Sequence, residues 1–403
     1  MNVPKIRFKG FEGEWKTSPI GDISSSFSGG TPTAGVAEYY GGNIPFIRSG
    51  EIHSKQTELF LTEKGLECSS ARIVEKDTLL YALYGATSGD VGLSQLKGAI
   101  NQAILAIYPN NKNINKKFLA SFLLSHKDRI IGELLQGGQG NLSGTLVKNI
   151  LLAYPQTDEQ EIIANYIDGV DSLISASTSR LISLKQVKEA SLQAMFPQEG
   201  ETVPKIRFKG FEGEWKQVRL KDISNKVVEK NKSNSISTTL TNSAEYGIID
   251  QRDFFDHDVS NINNISGYFV VQPLDFVYNP RISALAPVGP INMNKLGYSG
   301  VMSPLYYVFR VVGINKDYLD VFFRTNVWHK FMKDNGNTGA RFDRLSISDE
   351  VFCEMPIWCP KDKNEQQKIA SYFTALDHRI SLQTQRLEKL KQIKAACLDK
   401  MFV

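Results

Sequence analysis

Cysteine is scarce: four residues in 403, with no C-x-x-C pair among them. Cys68, Cys353, Cys359 and Cys397 therefore offer neither a zinc ribbon nor a disulfide framework, and their scatter suits a reducing compartment. Cys353 and Cys359 stand near aromatic residues and read as packing thiols. The five histidines, His53, His126, His257, His329 and His378, lack metal-ligand spacing and read as surface or helix-packing residues. No apolar run approaches the roughly 20 residues needed to span a bilayer. The first residues are basic, polar and glycine-containing, unlike a secretory leader. The expected location is cytoplasmic, with no membrane partner. Neither sign of charge dominates: 47 Lys and Arg face 43 Asp and Glu, a formal net charge of +4. With a pI near 8.6, that balance permits DNA binding without requiring it.

Catalytic signatures are missing too. There is no G-x-x-x-x-G-K-[ST] phosphate loop and so no reason to assign ATP hydrolysis. Gly29-Gly30-Thr31-Pro32-Thr33 is glycine-rich, but its proline and polar spacing do not fit a dinucleotide fingerprint. Asn279-Pro280-Arg281-Ile282 superficially matches the Asn-Pro-Pro-aromatic motif of adenine methyltransferases, yet it lacks the second proline and the aromatic that stacks a flipped base. The chain is expected not to be an enzyme.

What is present is a duplication. Residues 3–16 read VPKIRFKGFEGEWK, and residues 203–216 repeat all fourteen letters. The match loosens through Ile20, Asp22, Ile23 and Ser24 against Leu220, Asp222, Ile223 and Ser224. It returns at Ile114-Asn115-Lys116 against Ile314-Asn315-Lys316. Each half closes alike, from Glu159-Gln160 to Met195-Phe196 and from Glu365-Gln366 to Met401-Phe402. Two copies of about 200 residues are too few and too large for a solenoid, so a tandem duplication with approximate two-fold symmetry is the reading. Between these frames the intervening segments barely match. One part of each half therefore does a common job, and the other does something different in each copy.

The closing stretches read as long helices. Ile167, Val170, Ile174, Leu181, Leu184 and Met195 fall on alternating three- and four-residue steps, with polar Ser177, Lys188 and Ser191 interrupting, and Phe373, Leu376, Ile380, Leu387, Leu390, Cys397 and Met401 do likewise. Both are heptad-like seams. Thr157 or Asp158, with Glu161 nearby, offers capping chemistry, and Pro155 and Pro197 bracket the first helix. Antiparallel pairing would bury both seams and hold the variable domains at opposite ends of a rod. The variable segments read as mixed α and β, with strands at 43–47, 78–83, 99–108, 269–271, 276–278 and 305–312. Helices are expected near 115–135 and 315–333, each leading into a glycine-rich loop (137–143, 335–342) and then a strand ending at Pro155 or Pro360. A weak internal parallel sets Asp77-Thr78-Leu79-Leu80 and Val91-Gly92 against Asp275-Phe276-Val277-Tyr278 and Val288-Gly289. The fold class is thus α+β: two mixed α/β domains in tandem, each followed by a long helix, the helices pairing as an antiparallel coiled coil.

Two divergent domains, each followed by a near-identical long helix, resemble the DNA-specificity subunits of Type I restriction–modification systems. The Phe-x-Gly-Phe-Glu-Gly-Glu-Trp opening is similar to that family. So are Ser28-Gly29-Gly30-Thr31-Pro32-Thr33 with Tyr39-Tyr40-Gly41-Gly42 and Ile44-Pro45, and the Glu-Gln-x-x-Ile-Ala helix start. The resemblance covers nearly the whole chain and lies in the arrangement rather than in one motif. It implies target-recognition domains at 1–155 and 201–360, a central long helix and linker at 156–200, and a C-terminal long helix at 361–403. Each domain would read one half of a bipartite site in double-stranded DNA, with the helices as a ruler for the unread spacer. Two methylation subunits would dock on the helices, bringing S-adenosylmethionine for adenine N6 methylation. Two restriction subunits would bring ATP and Mg-dependent translocation and cleavage, and this chain would bind no cofactor itself.

Candidate DNA contacts are polar, basic or aromatic residues in loops of the variable segments, since arginine can fork onto guanine and asparagine or glutamine can pair with adenine. In the first domain these are Arg48, Ser49, Tyr84, Thr87, Ser88, Gln139 and Asn141. In the second they are Tyr278, Asn279, Arg281, Ser283, Arg341 and Arg344. Lys185, Gln186, Lys391 and Gln392 are candidates for partner docking, or equally a solvated helix face. The alternative function is a duplicated protein-binding scaffold without a DNA role.

Overall fold

Each fourteen-residue repeat is anchored by one buried ion pair. The computed structural model describes residues 2–110, 112–135, 142–254, 265–338 and 343–403, in two compact units. The first comprises Met1–Ser179 with Thr384–Val403, and the second Arg180–Gln383. In the first unit Arg7 forks onto Glu159 at 2.7 and 2.8 Å through Nε and Nη2, while Nη1 donates to the Gly13 carbonyl and Nη2 also to the Glu12 carbonyl. In the second, Arg207 forks onto Glu365 at 2.6 and 2.8 Å and donates to Gly213 and Glu212. The neighbouring glutamines are spent as well. The Gln160 side chain accepts from the Asn115 amide and donates to the Asn113 and Pro155 carbonyls; Gln366 accepts from Asn315 and donates to Pro360. The repeated Glu-Gln dipeptide is therefore a clamp between the opening segment, the long helix and the helix before it. Glu365→Ala would leave Arg207 half-solvated without its carboxylate, at an expected cost of about 3–5 kcal/mol. Urea unfolding of the second unit checks this; a loss below about 0.5 kcal/mol would mean the opening segment is not anchored there.

Both units share one antiparallel four-stranded sheet. Its strand order is Ser24–Ser28, Ile104–Pro109, Leu79–Ala82, Val91–Leu93 in the first unit and Ser224–Lys226, Tyr307–Val311, Phe276–Tyr278, Ile291–Met293 in the second. A short pair closes each domain at its base, Lys16–Pro19 with Leu151–Tyr154 and Lys216–Arg219 with Pro356–Cys359. The rest diverges. The first unit adds a second four-stranded sheet (Leu59–Leu61, Tyr40–Ile47, Gly98–Ile100, Arg72–Val74), whereas the second adds two separate pairs, Leu240–Ser243 with Gly247–Asp250 and Phe269–Val271 with Gly300–Met302.

Register corrects the internal parallel drawn from sequence. Asp77 matches Leu274, not Asp275: both hold positive φ (65° and 68°), and their amides donate at 2.8 Å to the Ser94 and Asn294 carbonyls. Leu79 thus matches Phe276, each paired with the third residue of the following strand, Leu93 and Met293. A one-residue slip would have turned every side chain to the wrong face. Likewise Val91–Leu93 matches Ile291–Met293, not Val288-Gly289. Two further expectations change: 99–108 is two strands, Gly98–Ile100 and Ile104–Pro109, in different sheets, and each expected helix is two. Those are Lys116–Ser125 and Lys127–Leu135, then Lys316–Phe323 and His329–Asn335. Asn115 and Asn315 cap the first of each pair through their side-chain oxygens.

The long helices are Thr157–Ala194 and Lys363–Lys400. Within each unit, one helix's first part runs antiparallel to the other's last part. In the first unit Asp171 pairs with Lys394 at 2.6 Å, and Tyr166 lies against Cys397. In the second, Lys188 pairs with Asp377 at 2.7 Å, and the Ser191 and Tyr372 hydroxyls bond at 3.0 Å. The helix ends finish the cores. Phe402 is buried beside Phe118 and Phe122 in the first unit, with ring centroids 5.3 and 6.4 Å away. Phe196 is buried against Tyr318 and Phe322 in the second, at 5.8 and 6.1 Å. Among the described residues, no helix is long and apolar enough to cross a membrane.

Candidate nucleic-acid interface

The shared sheet of each unit carries a hairpin loop in the same place. The Ala82 amide donates to the Asp90 carbonyl at 2.8 Å, and the Asn279 amide to the Pro290 carbonyl at 3.0 Å. Gly89 and Gly289 close the loops with φ of +74° and +82°. A Cβ at Gly289 would stand 2.1 Å from the Asn279 carbonyl oxygen, so only glycine fits there. The Leu83 carbonyl accepts from the Leu142 amide at 3.1 Å, as the Pro280 carbonyl does from the Leu345 amide at 2.9 Å. The next residue is Tyr84 in one unit and Arg281 in the other. One frame thus presents different side chains at one position.

In the second unit, the candidates Asn279, Arg281, Ser283 and Arg344 converge on one cleft of about 400 Å³. Asn279 builds rather than reads: its amide nitrogen donates to the Asn242 carbonyl at 2.9 Å and its oxygen accepts from the Arg281 amide at 3.0 Å, setting the turn that presents Arg281. Ser283 also shapes the loop, accepting from the Ala286 amide. The guanidinium groups are the freer members: side chains 65% (Arg281) and 32% (Arg344) exposed, and among the described residues each forms an ion pair only with Asp343, at 3.8 and 4.0 Å. Arg344 also borders an adjoining cleft of about 310 Å³. Tyr278, nominated as a DNA contact although it ends an expected strand, is corrected to a core residue. It ends a strand, is 3% exposed, stacks on Phe352 at 4.9 Å and donates its hydroxyl to the Val288 carbonyl; burial pushes its pKa up.

The first unit gathers its candidates less tightly. Tyr84, Thr87 and Ser88 are half-buried on the 83–90 loop, where the Ser88 hydroxyl donates to the Leu83 carbonyl. Arg48 and Ser49 lie at the end of the Tyr40–Ile47 strand. Arg48 is already engaged, donating to Glu51 at 2.9 Å and Glu58 at 2.6 Å, with its pKa raised first by Glu51. Burial would raise Glu51, but hydrogen bonds from the Arg48 side chain and from the Glu58 and Arg48 amides outweigh it and hold the carboxyl at about 2. Gln139, Asn141 and Arg341 lie outside the described residues. On the helices, Lys185, Gln186, Lys391 and Gln392 are all exposed.

Sequence reasoning missed several residues. Thr241, Gln251, Tyr268 and Tyr306 line the second unit's cleft, and the Gln251 side-chain oxygen is buried with no hydrogen-bond partner among the described residues. His53 joins the two candidate groups of the first unit, its Nε2 3.1 Å from Asp90 Oδ2. Asp90 raises its pKa, against burial and the charges of Lys394 and Lys127. None of these carries a local signal, since each is brought to its site by strands distant in sequence. Among the described residues, no group of three or more His, Cys, Asp or Glu is placed to hold a metal.

The profile of the family described as Type I restriction modification DNA specificity domain matches residues 12–186 and again 212–392. The chain belongs to that family. Its specificity domain is present twice, as the duplication required. The MjaIX specificity subunit of Methanocaldococcus jannaschii, a Type I restriction enzyme component, is 28% identical over 172 residues, 40% of this chain and 39% of that protein. The EcoR124I/EcoR124II specificity subunit of Escherichia coli is 25% identical over 193 residues, 45% and 47%. The matched stretches span less than half the length of these curated relatives. The Type I system S subunit from M. genitalium shares the fold across 100% of this chain and 99% of its own, with a TM-score of 0.61 at 12% identity. A chain solved in work on assembly and conformational transition of the type I R-M system gives 0.53 at 16% identity, over 96% and 97%. Type I specificity architecture therefore describes this fold: divergent domains on a repeated frame.

Proposed function

We propose that this specificity-family chain reads a bipartite sequence in double-stranded DNA, one half-site per variable domain (1–155 and 201–360), without catalysing a reaction itself. The long helices at 156–200 and 361–403 would dock two methylation subunits and set the unread spacer, and two restriction subunits would complete the complex. S-adenosylmethionine, ATP and Mg would be bound by those partners in the cytoplasm, and none by this chain. The observation that carries the reading is the repeated frame with unlike loops, Tyr84 in one copy where Arg281 stands in the other. Each good bidentate contact discriminates by about 1–3 kcal/mol, so a few per domain suffice for a half-site of three or four base pairs. The Lys185-Gln186 and Lys391-Gln392 pairs proposed for docking are exposed on those helices.

The test is single-molecule methylome sequencing of host DNA with the gene intact and deleted. A bipartite N6-methyladenine motif that disappears with the gene is the expected result. An unchanged set of motifs, with methylation partners expressed, would favour a protein-binding scaffold instead.

A further inference from the structure

Two arginines 63 positions apart in sequence stand directly opposite each other in the second unit. Arg281 and Arg344 form an isolated antiparallel bridge. The flanking bonds run from the Leu345 amide to the Pro280 carbonyl and from the Ile282 amide to the Asp343 carbonyl, both 2.9 Å. That pattern makes Arg281 and Arg344 the non-hydrogen-bonded pair, the narrow one, in which opposed side chains leave on the same face and lie closest. Like charges in that position repel. The carboxylate between them compensates poorly: Asp343 Oδ2 is 3.8 Å from Arg281 and 4.0 Å from Arg344, beyond hydrogen-bond reach of either.

Three other arginines of the same unit are treated differently. Arg207 and Arg310 each fork onto a buried carboxylate below 3 Å, and Arg324 bridges Asp320 and Asp377. Among the described residues, Arg281 and Arg344 keep open guanidinium donors at the cleft, where the backbone beneath Arg281 is fixed by Asn279 and Gly289. Among the described residues neither guanidinium has a carboxylate within hydrogen-bond distance, and a ligand rich in acceptors would supply the partner. Within DNA the base that presents two acceptors side by side in the major groove is guanine, through O6 and N7, and the arginine fork matches that spacing.

We infer that Arg281 and Arg344 are specificity-determining residues that read guanine in the half-site of the second domain. This rests on the DNA-reading function proposed above and names the base class for one of its two sites. Phosphate would offer the same acceptors, and the two are separated by what each loss does: a base contact governs one position of the motif, a phosphate contact governs all sequences alike.

The experiment is selection from a randomised duplex DNA library by the full chain purified with its host's methylation subunits, for wild type, Arg281→Gln and Arg344→Gln. Thermal melting and circular dichroism establish that each variant is folded. The expected wild-type motif carries guanine in one half. Each variant should lose discrimination at a guanine position by roughly tenfold to hundredfold while the other half-site is selected as before. A uniform loss of affinity with the guanine preference intact would overturn the inference in favour of phosphate. A motif without guanine in either half would overturn it as well. No enrichment of any sequence by the wild-type assembly would instead overturn the DNA-reading function, and the inference with it.

Discussion

Phe402→Ala is expected to destabilise the first unit by about 3–5 kcal/mol, although the residue stands 284 positions after Phe118, one of the rings it packs on. Phe402 is 6% exposed in a core that also contains Trp15, Phe118, Leu119 and Phe122. Truncating it removes a buried aromatic and leaves a cavity that the surrounding sheet and helix cannot refill. The end of the chain is held on both sides of this side chain. The Ile6 amide donates to the Lys400 carbonyl at 2.9 Å, and His126 Nε2 lies 3.1 Å from the Val403 carbonyl oxygen. Hydrogen exchange resolves the effect by region. Protection should fall in strand Leu79–Ala82 and helix Lys116–Ser125 and persist in Phe276–Tyr278 and Lys316–Phe323. Phe196→Ala, at the matching place in the second unit, should do the reverse. Unchanged protection of the first unit in Phe402→Ala would show that the closing helix contributes little to that core.

The largest expected functional effect comes from replacing residues 17–154 with the chain's own residues 217–359. The product should select a second copy of one half-site in place of the other, with the spacer unchanged. The former half-site should then be bound roughly a thousandfold more weakly, since three mismatched base pairs at about 1.4 kcal/mol each multiply to that factor. The exchange is structurally sound because the frame contacts have counterparts in both copies. Gln160 would accept from the Asn315 amide where it now accepts from Asn115, and Tyr318 would meet Trp15 where Phe118 now does. At the base, Lys16 would be followed by Gln217–Arg219, which keep their own pairing with Pro356–Cys359. Library selection or methylome sequencing reads the outcome. A change in both half-sites, or a shifted spacer, would break the division between variable readers and common frame.

The frame was legible because its signals are local or repeated. Fourteen identical residues, the recurring Ile-Asn-Lys at 114–116 and 314–316, and seams at three- and four-residue steps each speak without reference to the rest of the chain. The purpose of the repeated Glu-Gln was not legible. Its partners, Arg7 and Asn115 in one copy and Arg207 and Asn315 in the other, lie 45 or more positions away. The candidate site was half legible. Loop arginines could be nominated one by one, but the strand at 276–278 does not by itself say which of its faces is covered, and Tyr278 proves to be buried against Phe352. A loop longer in one copy, seven residues at 83–89 against ten at 280–289, likewise shifted the alignment of the following strands.

Sequence by itself determined the duplication, the α+β class, the two long helices and the family resemblance, because heptad spacing and repetition are carried by residues close in the chain or identical between copies. Tertiary structure alone decided which strands pair, that each domain's core is closed by a phenylalanine from a helix end, and that Arg281 faces Arg344 across a narrow pair. Those facts depend on hydrogen bonds and burial between distant segments, and their free energies are settled only when the chain has folded.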